Sequence, residues 1–77
     1  MRSGEKVRVV REHRGAKQYQ LAQALGISQS AYSRLERGRR EIKLEYLRIL
    51  ARELRWPLGD LVDPNPPRGL QPYLSEP

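Results

Sequence analysis

Apolar residues recur along most of the chain at the spacing of helices that bury one face. Leu21, Ala22 and Leu25 stand at i, i+1 and i+4 and predict a helix from Gln18 to about Leu25. Ala22 is small enough for two helices to cross closely there. Leu44, Leu47, Ala51 and Leu54, widened by Leu50, predict a longer helix over 44–54. Toward the N-terminus, Val7 and Val10 are the only strong inward positions of a helix from about Gly4 to Arg14. Ser3 is its expected cap and Gly15 its stop. Pro57 is expected at the first position of a last short helix ending at Val62, where its missing N–H is harmless. Leu58 and Leu61 would face inward.

The stretch from Gln18 to Gly38 has a tighter grammar. Gly26 can take the left-handed conformation that ends one helix, and Ser28 can cap the next. Ile27 lies between them as an apolar plug. A glycine-bearing turn of about 3–4 residues between two helices is the signature of a helix-turn-helix unit. The helix after Ser28 divides by face. Gln29, Ser30, Ser33, Arg34 and Arg37 fall within an arc of roughly 140°. Ala31, Tyr32 and Leu35 fall opposite, and Gly38 is the expected C-cap. Gln and Arg carry the forked ends that match adenine and guanine edges in the major groove. A solvated amphipathic face would look much the same.

The next residues, Arg39-Arg40-Glu41-Ile42-Lys43, form a strongly basic loop. From Asp63 the composition shifts: the last stretch holds five of the six prolines and is read as an extended tail. The expected organisation is therefore a domain over 1–62 and a Pro-rich tail over 63–77.

Length and charge narrow the function. A chain of 77 residues supports one small helical core with no room for a large ligand cavity. The net charge of +6 suits a polyanion, and residue counts place all of the positive excess before the tail. There are no cysteines, and His13 is the only histidine, so no metal site and no cofactor are expected. No apolar run approaches a membrane span and no signal peptide is present, so a cytoplasmic protein without membrane contact is expected. Ser3-x-x-Lys6 has the spacing of a serine–lysine nucleophile pair, but it sits at a frayable end with no oxyanion site in prospect. Pro64-x-x-Pro67 fits a polyproline-ligand spacing that five prolines produce by chance. No enzyme is expected.

The ordered set Gln18, Leu21-Ala22, Leu25-Gly26-Ile27-Ser28, Tyr32-Ser33 and Leu35-Glu36-Arg37-Gly38 is specific. With Arg11, Gly15 and the leucines of the fourth and fifth helices, it resembles the Cro/lambda-repressor type of helix-turn-helix family over roughly residues 7–62. The resemblance implies an all-α bundle of five helices whose third helix enters the major groove. It implies that Gln29, Ser30 and Arg34 occupy base-reading positions, with Ser33 between them. Gln18 would hold a phosphate at the start of the second helix. Arg39, Arg40 and Lys43 would lie along the DNA backbone, with Arg37 beside them. Arg11 and Glu36 match a family ion pair that joins the first helix to the end of the third.

Four positions depart from the family pattern. Lys17 replaces a Ser or Thr cap and brings a cation near the phosphates. Ile42 replaces a common proline, and Arg55 a usual glycine. Tyr32 fills a position usually held by a smaller aliphatic residue.

Ile42, Tyr46 and Ile49 recur at i, i+4 and i+7, away from the core stripe, and Trp56 follows. So many large apolar groups call for a partner surface. A homodimer interface would place two reading helices about one DNA turn apart. The competing use is a dock for the chain's own tail through Leu70, Tyr73 and Leu74. The expected function is a transcriptional regulator, in the first instance a repressor, binding double-stranded DNA at a pseudo-palindromic operator. A phage-type repressor, a restriction–modification controller and an antitoxin are open settings. The alternative is an interaction adaptor that offers its C-terminal half to a protein partner.

Overall fold

The computed structural model describes residues 2–63, so residues 64–77 of the tail over 63–77, with its proposed docking residues, lie outside the described residues. Within them the chain forms five α-helices: α1 (Ser3–Arg14), α2 (Gln18–Leu25), α3 (Gln29–Glu36), α4 (Leu44–Leu54) and α5 (Leu58–Val62). α2 packs on α3 and α4, while α1 packs on α3, α4 and α5. α1 is thus the strut against which three other helices lean.

The turns follow from residues that allow them. Gly15 and Gly26 adopt left-handed φ values of 74° and 71°, where a side chain would be strained. After Gly26, the Ile27 N–H returns to the Ala22 carbonyl at 3.0 Å, and the Ser28 hydroxyl accepts the Ala31 N–H at 3.0 Å. Together they close the α2–α3 turn. At α2, Lys17 supplies no side-chain cap; instead the Gln20 side chain folds back onto the Lys17 N–H at 2.8 Å.

The core runs through all five helices. Val7, Val10, Tyr32 and Leu50 are fully buried, with Leu21, Ala22, Leu35, Leu47, Leu54 and Leu61 around them. Several expectations are corrected here. Ser3 is the first residue of α1, not its cap; Arg2 holds the cap position without a side-chain hydrogen bond. Val9 and Lys6 are buried along with Val7 and Val10. Leu44 opens α4 on its outer side and stays 51% exposed. Ile42 belongs to the core, because the α3–α4 loop tucks it inward to 8% exposure. Pro57 stands one residue before α5, at its N-cap. Arg37 is the C-cap of α3, and Gly38 follows in the left-handed conformation.

Two basic residues of α1 close the ends of other helices. Arg14 donates from Nε to the Leu54 carbonyl and from Nη2 to the Arg55 carbonyl, each at 2.9 Å. Those carbonyls end α4 and have no helical partner. Lys6 Nζ donates to the Asp60 carbonyl at 2.6 Å and also to the Asp63 carbonyl, at the end of α5. Trp56 sits between these ties. The Arg14 guanidinium lies over its ring at 5.0 Å, and its indole N–H donates to Asp60.

Arg55 is the one described non-glycine residue with positive φ, at 53°. It ends α4 as a left-handed cap, a conformation that costs an L-residue roughly 1–2 kcal/mol. Its carbonyl, the group Arg14 holds, would survive any side-chain change. Arg55→Gly should therefore raise the melting temperature by a few degrees, for a net gain of about 0.5–1 kcal/mol after the extra freedom of the unfolded glycine. Arg55→Ala, measured alongside in thermal denaturation, should give no such gain.

Candidate functional site

α3 presents two unlike faces. Tyr32 and Leu35 are buried against α1 and α2, while Gln29, Ser30 and Arg34 are exposed together on the outer side. Ser33 is half-buried between them. Its carbonyl accepts the Arg37 N–H at 3.1 Å, and the exposed Arg37 side chain folds back toward the same carbonyl. Arg39, Arg40 and Lys43 are all exposed in the loop that follows, and Lys17 is exposed at the start of α2. Neither α2 nor α3 has an acidic residue in its first turn, so both helix N-termini keep their partial positive charge. The outer side of the α2–α3 unit is thus a surface of donors and cations.

Glu36 is the one acidic group on α3, and it is turned inward at 3% exposure. Its carboxylate collects four donors. Oε2 accepts from Arg11 Nε at 2.6 Å and from the Tyr32 hydroxyl at 2.6 Å. Oε1 accepts from Arg11 Nη2 at 3.1 Å and from Gln18 Nε2 at 3.0 Å. Arg11 also donates from Nη1 to the Ala16 carbonyl, tying the α1–α2 connector into the same cluster. The Arg11 side chain is 12% exposed and that of Glu36 2%, so this is a nearly dry, forked ion pair. Hydrogen bonding to Glu36 raises Arg11 above its ordinary pKa, against the opposing pull of burial. Burial, then the hydrogen bond to Glu36, push the Tyr32 hydroxyl far above its ordinary 10.0.

A second contact sets the position of α3. A Cβ on Gly4 would lie 2.2 Å from the Leu35 carbonyl oxygen and 2.7 Å from that of Glu36. The first turn of α1 therefore rests directly on the last carbonyls of α3, and only glycine permits that approach.

Sequence reasoning saw Arg11 and Glu36 but missed the other members of the cluster. Tyr32 and Glu36 are four apart on one helix, which was a usable signal. From sequence Gln18 reads only as a phosphate contact; the structure shows one of its amide N–H groups already given to Glu36. Gly4 carried no local signal. Of the apolar set assigned to a dimer surface, Ile42 is in the core, and Tyr46, Ile49 and Trp56 are half-buried against its margin. Among the described residues no group of three or more His, Asp or Glu side chains is placed to hold a metal, and no helix is long and apolar enough to cross a membrane.

Glu36→Ala would strand a buried guanidinium, a hydroxyl and an amide at once. We expect a loss of about 3–5 kcal/mol in urea denaturation, most of what a small domain has. Tyr32 adds a pH dependence with a definite sign. Its pKa is raised on folding, so its contribution is complete below about pH 10, where both states hold the proton. Above that, the unfolded chain ionises first and stability falls by up to about 1.4 kcal/mol per pH unit. Tyr32→Phe should flatten that alkaline slope in urea midpoints taken between about pH 9 and 12.

Comparison with known families matches residues 7–61 to a family described as helix-turn-helix. No curated protein matches the chain. The matched span opens in α1 and closes in α5, so it takes in the Glu36 cluster, the outward face of α3 and the basic loop. The chain belongs to the Cro/lambda-repressor type of helix-turn-helix family, and is in general terms a DNA-binding transcription regulator.

Proposed function

We propose that this protein binds a pseudo-palindromic operator in double-stranded DNA as a homodimer and represses the adjoining promoter by occupying it. The observation that carries the reading is the division of α3: Gln29, Ser30 and Arg34 exposed on one side, Tyr32, Leu35 and Glu36 buried on the other. A helix held by one face and armed on the other can enter the major groove, which is wide enough for it. Gln29, Ser30 and Arg34 read base edges, with Ser33 adding a hydroxyl. Lys17, Gln18, Arg37, Arg39, Arg40 and Lys43 contact phosphates and set the register.

The domain measures 33 × 23 × 22 Å, a size at which two copies side by side can set their α3 helices about one DNA turn, ~34 Å, apart. Tyr46 and Ile49 on α4, with Trp56 beyond it, supply the pairing surface in this reading.

The two kinds of DNA contact should separate on mutation. Arg34→Ala is expected to cost about 1–3 kcal/mol on the operator and to relax preference at one base pair in each half-site. Arg39→Ala is expected to weaken operator and random DNA alike and to reduce the salt slope by about one. Titrations against fragments recovered by genomic selection, at several salt concentrations, decide between them. Identical behaviour of the two variants on both kinds of DNA would overturn the assignment.

A further inference from the structure

We propose that the Tyr32 hydroxyl is a positioning group for DNA binding: acting through Glu36, it holds the Gln18 amide in the orientation that donates to the DNA backbone. This rests on the DNA reading above and names a residue, buried inside the domain, on which that reading depends.

The argument starts from the carboxylate. It offers about four acceptor sites, and all four are filled. Arg11 spans both oxygens, but a planar guanidinium facing a planar carboxylate leaves the pair free to rock about the line of its two hydrogen bonds. The Tyr32 hydroxyl, reaching Oε2 from within α3, is a further point of attachment that removes this freedom. Oε1 then stands in a fixed place, and Gln18 Nε2 is held 3.0 Å from it.

The fixed oxygen decides which way the Gln18 amide faces. An amide oxygen against a carboxylate oxygen would be repelled, so the nitrogen must face Glu36. One N–H is spent there, and the second leaves the same nitrogen at an angle of about 120°. Gln18 is the first residue of α2 and is only half-buried, so that second N–H is open to a ligand. It is a donor, as a phosphate oxygen requires. A side chain already held this way does not lose its rotamer freedom on binding. Tyr32 serves throughout as a donor, because burial and Glu36 keep its proton in place.

The test is a double-mutant cycle on DNA affinity with Tyr32→Phe and Gln18→Ala, at a temperature well below melting. Each single variant should weaken binding roughly 3- to 10-fold, the factor expected for losing one pre-ordered neutral contact. The loss should be equal on operator and random DNA, with no change in salt slope, because a neutral donor displaces no counterion. The double variant should bind no more weakly than Gln18→Ala alone. Tyr32→Phe lowers the melting temperature in either case, because it leaves a buried Glu36 lone pair unmet; a purely structural Tyr32 would give losses that multiply in the double variant, which overturns the proposal, as would wild-type affinity in Gln18→Ala. The free wild-type protein gives an independent reading by NMR of the Gln18 side-chain amide. One proton shifted and slow to exchange supports the arrangement; two ordinary, fast-exchanging protons overturn it. A wild type that ignores all duplex DNA at low salt would sink the functional reading itself, and that outcome is visible before any variant is made.

Discussion

The Glu36 carboxylate is almost wholly withdrawn from water, so each of its lone pairs must be met by a donor from the protein. Those donors come from α1, from the start of α2 and from α3 itself. No two of these elements can shift without leaving a charge or a polar group unpaired in a dry place. Such a cluster contributes little net stability, since desolvation offsets most of its Coulomb attraction. What it supplies is a single permitted geometry for the helix that faces outward. The Gly4 contact acts in the same direction by different means: it sets the distance between α1 and α3 sterically, while the carboxylate sets their angle by hydrogen bonding.

Nine of the cations fall into two differently placed groups. Lys6, Arg11 and Arg14 all lie on α1, and each is bonded within the protein, to helix-ending carbonyls or to Glu36. Arg34, Arg37, Arg39, Arg40, Lys43 and Lys17 are exposed around α3 and the start of α2. Net charge alone would treat the two groups as one. The distinction matters for any nucleic-acid surface, because a cation already bonded within the protein has less to offer a phosphate than an exposed one.

The helices and the turn between α2 and α3 were legible in the sequence because their signals are local. The Leu21–Leu25 stripe, the αL glycines at 15 and 26 and the Ser28 cap are each set by neighbours within a turn or two. The polar arc of Gln29, Ser30 and Arg34 was legible for the same reason. Resemblance added Arg11 with Glu36, which are 25 residues apart and carry no periodic signal. The misreadings fall where tertiary packing overrides local pattern. Leu44 has the right spacing for the core but begins its helix at the rim. Ile42 sits in a basic loop, yet the loop folds it inward. Lys6 reads as a surface charge, and only the arrival of α5 above it makes burial possible.

That last tie bears on how the domain assembles. Lys6 and Asp60 are separated by 54 residues, so nearly the whole domain must be present before the ammonium gains its carbonyl partners. A nascent chain that has emerged only through α4 has the helix-turn-helix unit but an open end on α1. Closure waits for the last five-residue helix, so the bundle becomes cooperative only once α5 is in place. A short helix that contributes one leucine to the core thus acts as the keystone of the bundle.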